Sequence, residues 1–222
     1  MTGSERSILD RRTGRVLAWL HATRVSPELL PLYDVAIDRA DLMHGHRILD
    51  FGCGDGALLA GIRSRFDDCV LRGIDRWPDL LAHAVTRAIP GCCLVLGGID
   101  LVAEGGPHDR ILATNVAYLL PGEERATFLR AALDSLSPGG RIVLADPDGG
   151  AEPAAVLDAV RDRDPVFAMM CLKAFADARA AGWTIRAAGN AVSAAIKDRG
   201  AVETDAVRVP GTAGVVAVVI RT

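Results

Sequence analysis

From Arg47 to Ala145 the chain alternates between short apolar runs and segments whose apolar residues recur every three or four positions. The runs 47–51, 69–74, 92–96, 109–114 and 140–145 are too short for helices and read as buried strands. Segments 56–66, 78–89 and 122–136 carry a helical period, and Pro78 and Pro121 stand where two of them begin. Apolar strands alternating with helices predict a parallel sheet covered on both faces. Before this block, residues 5–41 read as two helices broken at Ser26-Pro27. Val16, Leu17 and Leu20 share a face of the first, and Leu29, Leu30, Tyr33 and Ile37 a face of the second. After the block, 150–182 reads as a helical stretch and 184–199 as a further helix. Two strand-like runs, 202–209 and 214–221, flank Pro210-Gly211-Thr212-Ala213-Gly214, which predicts an antiparallel hairpin. The whole pattern predicts an α/β fold in one domain over 1–222. Its sheet is doubly wound, mostly parallel and seven-stranded, with an antiparallel C-terminal hairpin and helices on both faces.

The first strand-to-helix junction, RILDFGCGDGALL over Arg47–Leu59, is the most informative stretch. The apolar run ends in Asp50, and Gly52, Gly54 and Gly56 form a Gly-x-Gly-x-Gly turn. Leu58, Leu59, Ile62 and Phe66 then follow at helical spacing. A strand, a glycine turn and a helix start let a ligand approach the backbone and meet free N–H groups. In sheets of this kind ligands bind at the carboxyl ends of the strands, near the topological switch point. A glycine turn followed by an acidic residue also serves NAD binding, although that fingerprint is Gly-x-Gly-x-x-Gly.

Composition narrows the partners. The 222 residues are 50% hydrophobic and 24% charged, ordinary for a globular protein, and the net charge of −3 argues against a nucleic-acid surface. Lysine occurs only at Lys173 and Lys197 while arginine and alanine abound, the bias of a GC-rich bacterial genome. The five cysteines, at 53, 69, 92, 93 and 171, form no C-x-x-C pair and read as buried free thiols in a reducing compartment. The opening MTGSERSILDRR is charged where a signal peptide needs an apolar core, and no run reaches membrane-spanning length. The expectation is a cytoplasmic protein that engages neither membrane nor nucleic acid. No histidine, cysteine or carboxylate cluster has metal-ligand spacing, so no metal is expected.

Several ordered motifs together make the chain resemble a class I, Rossmann-like S-adenosylmethionine (SAM)-dependent methyltransferase of the small-molecule type. The likeness covers roughly 45–149 and 184–222. It rests on Gly45-x-x-Ile48-Leu49-Asp50-Phe51-Gly52-Cys53-Gly54-Asp55-Gly56, on Val70–Asp75, on Gly97-Gly98-Ile99-Asp100-Leu101, on Asp109–Asn115 and on Leu136-Ser137-Pro138-Gly139-Gly140-Arg141. The resemblance implies that Asp50, Gly52 and Gly54 meet the amino-acid part of SAM, with Asp50 near its ammonium group. It implies that Asp75, about 20 residues past the glycines, takes the ribose hydroxyls. Arg76 or Trp77 would pack on the adenine, Asp100 would accept from its amino group beside the Ile99 backbone, and Asn115 and Val116 would border the sulfonium.

Methyl transfer from a sulfonium needs alignment and exclusion of water, and a base only where the acceptor is protonated. The candidates on the acceptor side are Tyr118, after the fourth strand, and Asp146, after the fifth. Asp148 could equally form a turn before Gly149-Gly150. The run Asn115-Val116-Ala117-Tyr118 lacks the histidine pair that many related enzymes carry there. It also lacks both prolines of the Asn-Pro-Pro-Tyr motif of amino-methylating DNA enzymes. His21 is a further candidate on the first helix, while His44, His46, His83 and His108 are assigned no chemistry. Residues 1–41 and 150–182, with the apolar face Phe167, Met170, Cys171 and Phe175, would form the substrate cap. A homodimer, if formed, would use the same helices. The expected activity is methyl transfer to a small molecule, in bacterial secondary metabolism. The alternatives are a non-methylating SAM-fold enzyme or a non-catalytic partner subunit.

Overall fold

The computed structural model describes residues 30–197, 203–208 and 215–221. The first predicted helix, His21 and the turn Pro210–Gly214 lie outside these residues. Five strands run parallel: β1 (Arg47–Phe51), β2 (Val70–Asp75), β3 (Cys92–Leu96), β4 (His108–Thr114) and β5 (Leu136–Pro147). Strands β6 (Glu203–Arg208) and β7 (Val215–Arg221) follow, and β7 pairs antiparallel with both β5 and β6. The strand order is β3-β2-β1-β4-β5-β7-β6, so the chain reverses its direction of winding between β1 and β4. The helices are α1 (Leu30–Ala40), α2 (Ala57–Arg65), α3 (Pro78–Thr86), α4 (Gly122–Asp134), α5 (Pro153–Val160), α6 (Pro165–Ala180) and α7 (Ile185–Ile196).

The strands are apolar at successive positions because both faces of the sheet are covered. Ile48, Leu71, Leu112 and Val143 point to a core shared with Leu32, Ala36 and Ile37 of α1 and Leu58, Leu59 and Ile62 of α2. Their neighbours Leu49, Ile111, Ile142 and Leu144 point the other way, onto Phe128, Leu129 and Ala132 of α4 and Ala188 and Val192 of α7. Two arginines, Arg110 buried and Arg141 half-buried, fasten α1 across the amino end of the sheet. Arg110 on β4 donates to the carbonyls of Ala40 and Asp41 at 2.5 and 3.0 Å. Arg141 on β5 reaches the Arg39 carbonyl at 3.1 Å and pairs with the Asp41 carboxylate. These bonds satisfy carbonyls that the end of a helix leaves open.

Three expectations change. The stretch 150–182 is two helices, because Asp164 caps a second start: its carboxylate accepts from the Val166 and Phe167 amides at 2.9 and 3.2 Å, with Pro165 at the first position. Strand β5 begins at Leu136, earlier than the expected 140, because Leu136 already pairs with His108. A register shift follows, where Gly139 takes a left-handed φ of +73°. The cysteines are all free, but only Cys53 and Cys69 are buried; Cys92 and Cys171 are half-buried, and Cys93 on the edge strand β3 is exposed. No helix among the described residues is long and apolar enough to cross a membrane.

Candidate functional site

The carboxyl ends of β1, β2, β4 and β5 meet at the reversal point, and every candidate from those strands arrives there. Past β1 the chain turns sharply: Gly52 and Gly54 have φ of +75° and +55°, and the amides of Gly52 and Cys53 both donate to the Ile74 carbonyl. Gly52 is also a matter of space. A Cβ there would lie 2.2 Å from Cγ2 of Val116, so the glycine turn and the segment after β4 touch. Gly54 differs, for nothing lies within 4 Å of the position its Cβ would take. The loop thus presents bare backbone to open space at Gly54.

Asp75 closes β2 and ties two loops together. One oxygen accepts from the Gly54 amide at 2.8 Å and the other from the Trp77 amide at 2.7 Å. Each oxygen keeps a further lone pair for a hydroxyl group. Burial raises the Asp75 carboxyl, and the Trp77 and Gly54 amides oppose that shift. Asp50, only 2% exposed, is pushed up to about 8, by burial first and then by the charges of Asp75 and Asp55. Such a buried carboxyl group calls for a cation beside it. Trp77 is half-buried at the start of α3, with the exposed Arg76 guanidinium 5.5 Å from its ring. Ile99 and Asp100 lie on a 3₁₀ turn (Ile99–Leu101) after β3, Ile99 packed against the second core and Asp100 exposed.

Beyond β4, Asn115 adopts a left-handed φ of +59°, a conformation asparagine tolerates, and its amide donates to Ala145. Val116, a 3₁₀ turn (Ala117–Leu119) and the buried Tyr118 follow. Asp146, 1% exposed, accepts from the Val116 and Ala117 amides through Oδ1 at 2.9 and 3.2 Å. Its Oδ2 is buried with no hydrogen-bond partner, and burial pushes the carboxyl up to about 7. Burial and the Asp146, Asp177 and Cys171 side chains raise the Tyr118 phenol far above its usual range. Asp148 is a turn residue, accepting from the Gly150 amide at 2.9 Å. Of the apolar face assigned to the cap, Phe167 and Met170 lie against the core beneath α1, whereas Phe175 joins Ala151 and Val156.

Sequence reasoning missed four residues. Asp55 is buried and pairs with Arg87, which also donates to the Asp55 carbonyl at 2.6 Å and so braces the glycine loop against the end of α3. Tyr33 on α1 packs in one cluster with Cys53 and Ala57, and burial with Asp55 and Asp50 nearby raises its phenol. Arg125 on α4 holds the turn after β4. Only contact across the fold reveals Tyr33, Arg87 and Arg125, whereas Asp55 stood inside the motif. Away from this edge, His44, Asp67 and Asp68 bring ligand atoms within 4.8 Å of one another, exposed at the amino ends of β1 and β2. His46 and His108 are buried, His46 accepting from the Met43 amide and His108 set against the Val102 carbonyl.

Residues 48–140 match a family model described as a methyltransferase domain. The trans-aconitate 2-methyltransferase of Methylobacterium nodulans is 30% identical over 130 residues, covering 59% of this chain and 49% of that protein. The same-named protein of Rhizobium meliloti is 33% identical over 140 residues, covering 62% and 52%. The chain spans about half the length of the curated relatives it matches. Two solved plantazolicin methyltransferases, BpumL and BamL, each in complex with a desmethylPZN analog and SAH, share the fold. Their TM-scores are 0.70 and 0.69 at 14% and 12% identity, with 98% of both chains covered. Sheet order and glycine turn agree with the match of residues 48–140 to a methyltransferase-domain model.

Proposed function

We propose that this protein binds SAM at the carboxyl edge and transfers its methyl group to a small-molecule acceptor. The observation that carries the reading is the Asp75 carboxylate spanning the Gly54 and Trp77 amides, beside buried Asp50 and the open face of Gly54. This donor set fits the cofactor. Asp50 supplies a carboxylate for an ammonium group, Asp75 keeps lone pairs for two hydroxyls, and the open face of Gly54 admits the chain between them. Arg76 and Trp77 would flank the adenine, with Ile99 and Asp100 at its edge and Asn115 and Val116 beside the sulfur. When bound, SAM supplies a methyl group on a positively charged sulfur that leaves as a neutral thioether. The protein holds the acceptor in line and excludes water, with Tyr118 and Asp146 on the acceptor side and α5 and α6 as its cap. The seven-stranded order with an antiparallel final pair supports the same reading, because ordinary dinucleotide sheets lack that pair.

The free cysteines favour a reducing, cytoplasmic setting, and the names of the structural neighbours favour secondary metabolism. Titration calorimetry with SAM, S-adenosylhomocysteine (SAH) and NAD tests the cofactor. Micromolar binding of the first two, none of NAD, and at least a tenfold loss in Asp75→Ala (about 1.4 kcal/mol) are expected. Binding of NAD alone would overturn the reading. Conversion of an acceptor with SAM left intact and no SAH formed would point to a non-methylating reaction.

A further inference from the structure

The turn after β4 is gripped at both ends by charged side chains of opposite sign. On its amino side, Val116 and Ala117 donate their amides to Asp146 Oδ1 at 2.9 and 3.2 Å. On its carboxyl side, Arg125 Nε donates to the Ala117 carbonyl at 2.9 Å and Nη2 to the Leu120 carbonyl at 2.8 Å. The guanidinium lies 4.2 Å from the centre of the Trp183 ring, a side chain only 2% exposed. A carboxylate on amides and a guanidinium on carbonyls follow the peptide dipoles, and charged partners make these hydrogen bonds strong. What the grip holds is Tyr118, buried within the turn, and Val116, in contact with the glycine loop at Gly52. Helix α6 rests on the same turn.

We propose that Asp146 and Arg125 are a pair of positioning residues that set Tyr118 and Val116 against the glycine loop and seat the cap helix. Neither touches the reacting groups. This assigns Asp146 a structural use of its charge in place of the general-base role its position on the strand invites. The pairing rests on geometry alone, and its place in catalysis rests on the proposed function. Both charges hold one turn, so removing either already loosens what the other grips, and the double variant loses less than the sum of the singles.

The chain has two tyrosines, Tyr33 and Tyr118, so Tyr33→Phe leaves Tyr118 as the sole phenol. In that background, O-acetylation by N-acetylimidazole at pH 7.5 reads the release of Tyr118. Arg125→Ala and Asp146→Ala should each speed acetylation at least tenfold, Arg125→Lys should restore part of the protection, and the double variant should be sub-additive. SAH affinity should fall less than tenfold, because Asp50, Asp75 and Gly54 are intact. Leu133→Ala, a core variant of α4, supplies a control for stability loss. Equal acetylation in that control at matched melting temperature, unchanged rates in both single variants, or strict additivity would overturn the pairing. If the wild type fails to bind SAH, the cofactor reading falls, while the acetylation rates still decide the role of the pair.

Discussion

Asp50 gives the site its pH dependence. Its carboxyl is raised in the folded state from 3.8 to about 8, so the folded protein holds a proton that the unfolded chain releases. That contribution to stability is complete below about pH 4 and is lost as pH rises towards 8. Asp146, pushed up to about 7, acts in the same direction. Melting temperature of the ligand-free protein should therefore fall between pH 5 and 8, and Asp50→Asn should flatten part of that slope. A slope unchanged in Asp50→Asn would deny the assignment. An ammonium-bearing ligand needs the ionised form, so SAH affinity should rise from pH 6 to 8 with release of a proton, measurable by calorimetry in buffers of different ionisation enthalpy. The two glycines of the turn should separate stability from binding. Gly52→Ala drives a methyl into Val116 at a left-handed φ and should cost about 2–4 kcal/mol in denaturant unfolding. Gly54→Ala meets no atom, so strain of roughly 1–2 kcal/mol is its structural cost, and its main effect should be weaker SAH binding.

Among the elements, α1 stands out because its attachment is polar at one end and apolar along its length. Arg110 is buried, and each of its nitrogens donates to a backbone carbonyl: Nε to Ala40, Nη2 to Asp41 and Nη1 to Asp109. Arg110→Ala would leave the carbonyls of Ala40 and Asp41 without their donors and open a void beneath the helix. A loss of about 2–4 kcal/mol and earlier proteolysis near α1 are expected, and wild-type resistance would refute this account. Tyr33 sits on the same helix, so the variant should also weaken SAH binding if α1 borders that site. The elements of the central block were legible from periodicity because each apolar run faces a covered side of the sheet. The break between α5 and α6 could be read only from Asp164-Pro165, a cap and a helix start hidden inside a continuous apolar pattern.

For the whole molecule, the proposed binding at the carboxyl edge, where four strands contribute, would couple ligand and folding. SAH at a hundredfold excess over its Kd should stabilise the fold by about 2.7 kcal/mol, raising the melting temperature by roughly 5–10 °C, whereas NAD should give no shift. Absence of a shift with SAH, at concentrations that calorimetry shows to be saturating, would mean that the unfolded chain binds it equally. Local sequence alone determined the strands, the glycine turn, Asp50 and Asp75, because backbone sterics and apolar period act between residues close in the chain. Tertiary structure decided how Tyr33 comes near Asp55. It also decided that Arg87 braces the glycine loop and that Arg125 and Asp146 grip one turn from opposite ends. Those pairings join residues distant along the chain, and their energies arise from burial and charge, which no local pattern of residues encodes.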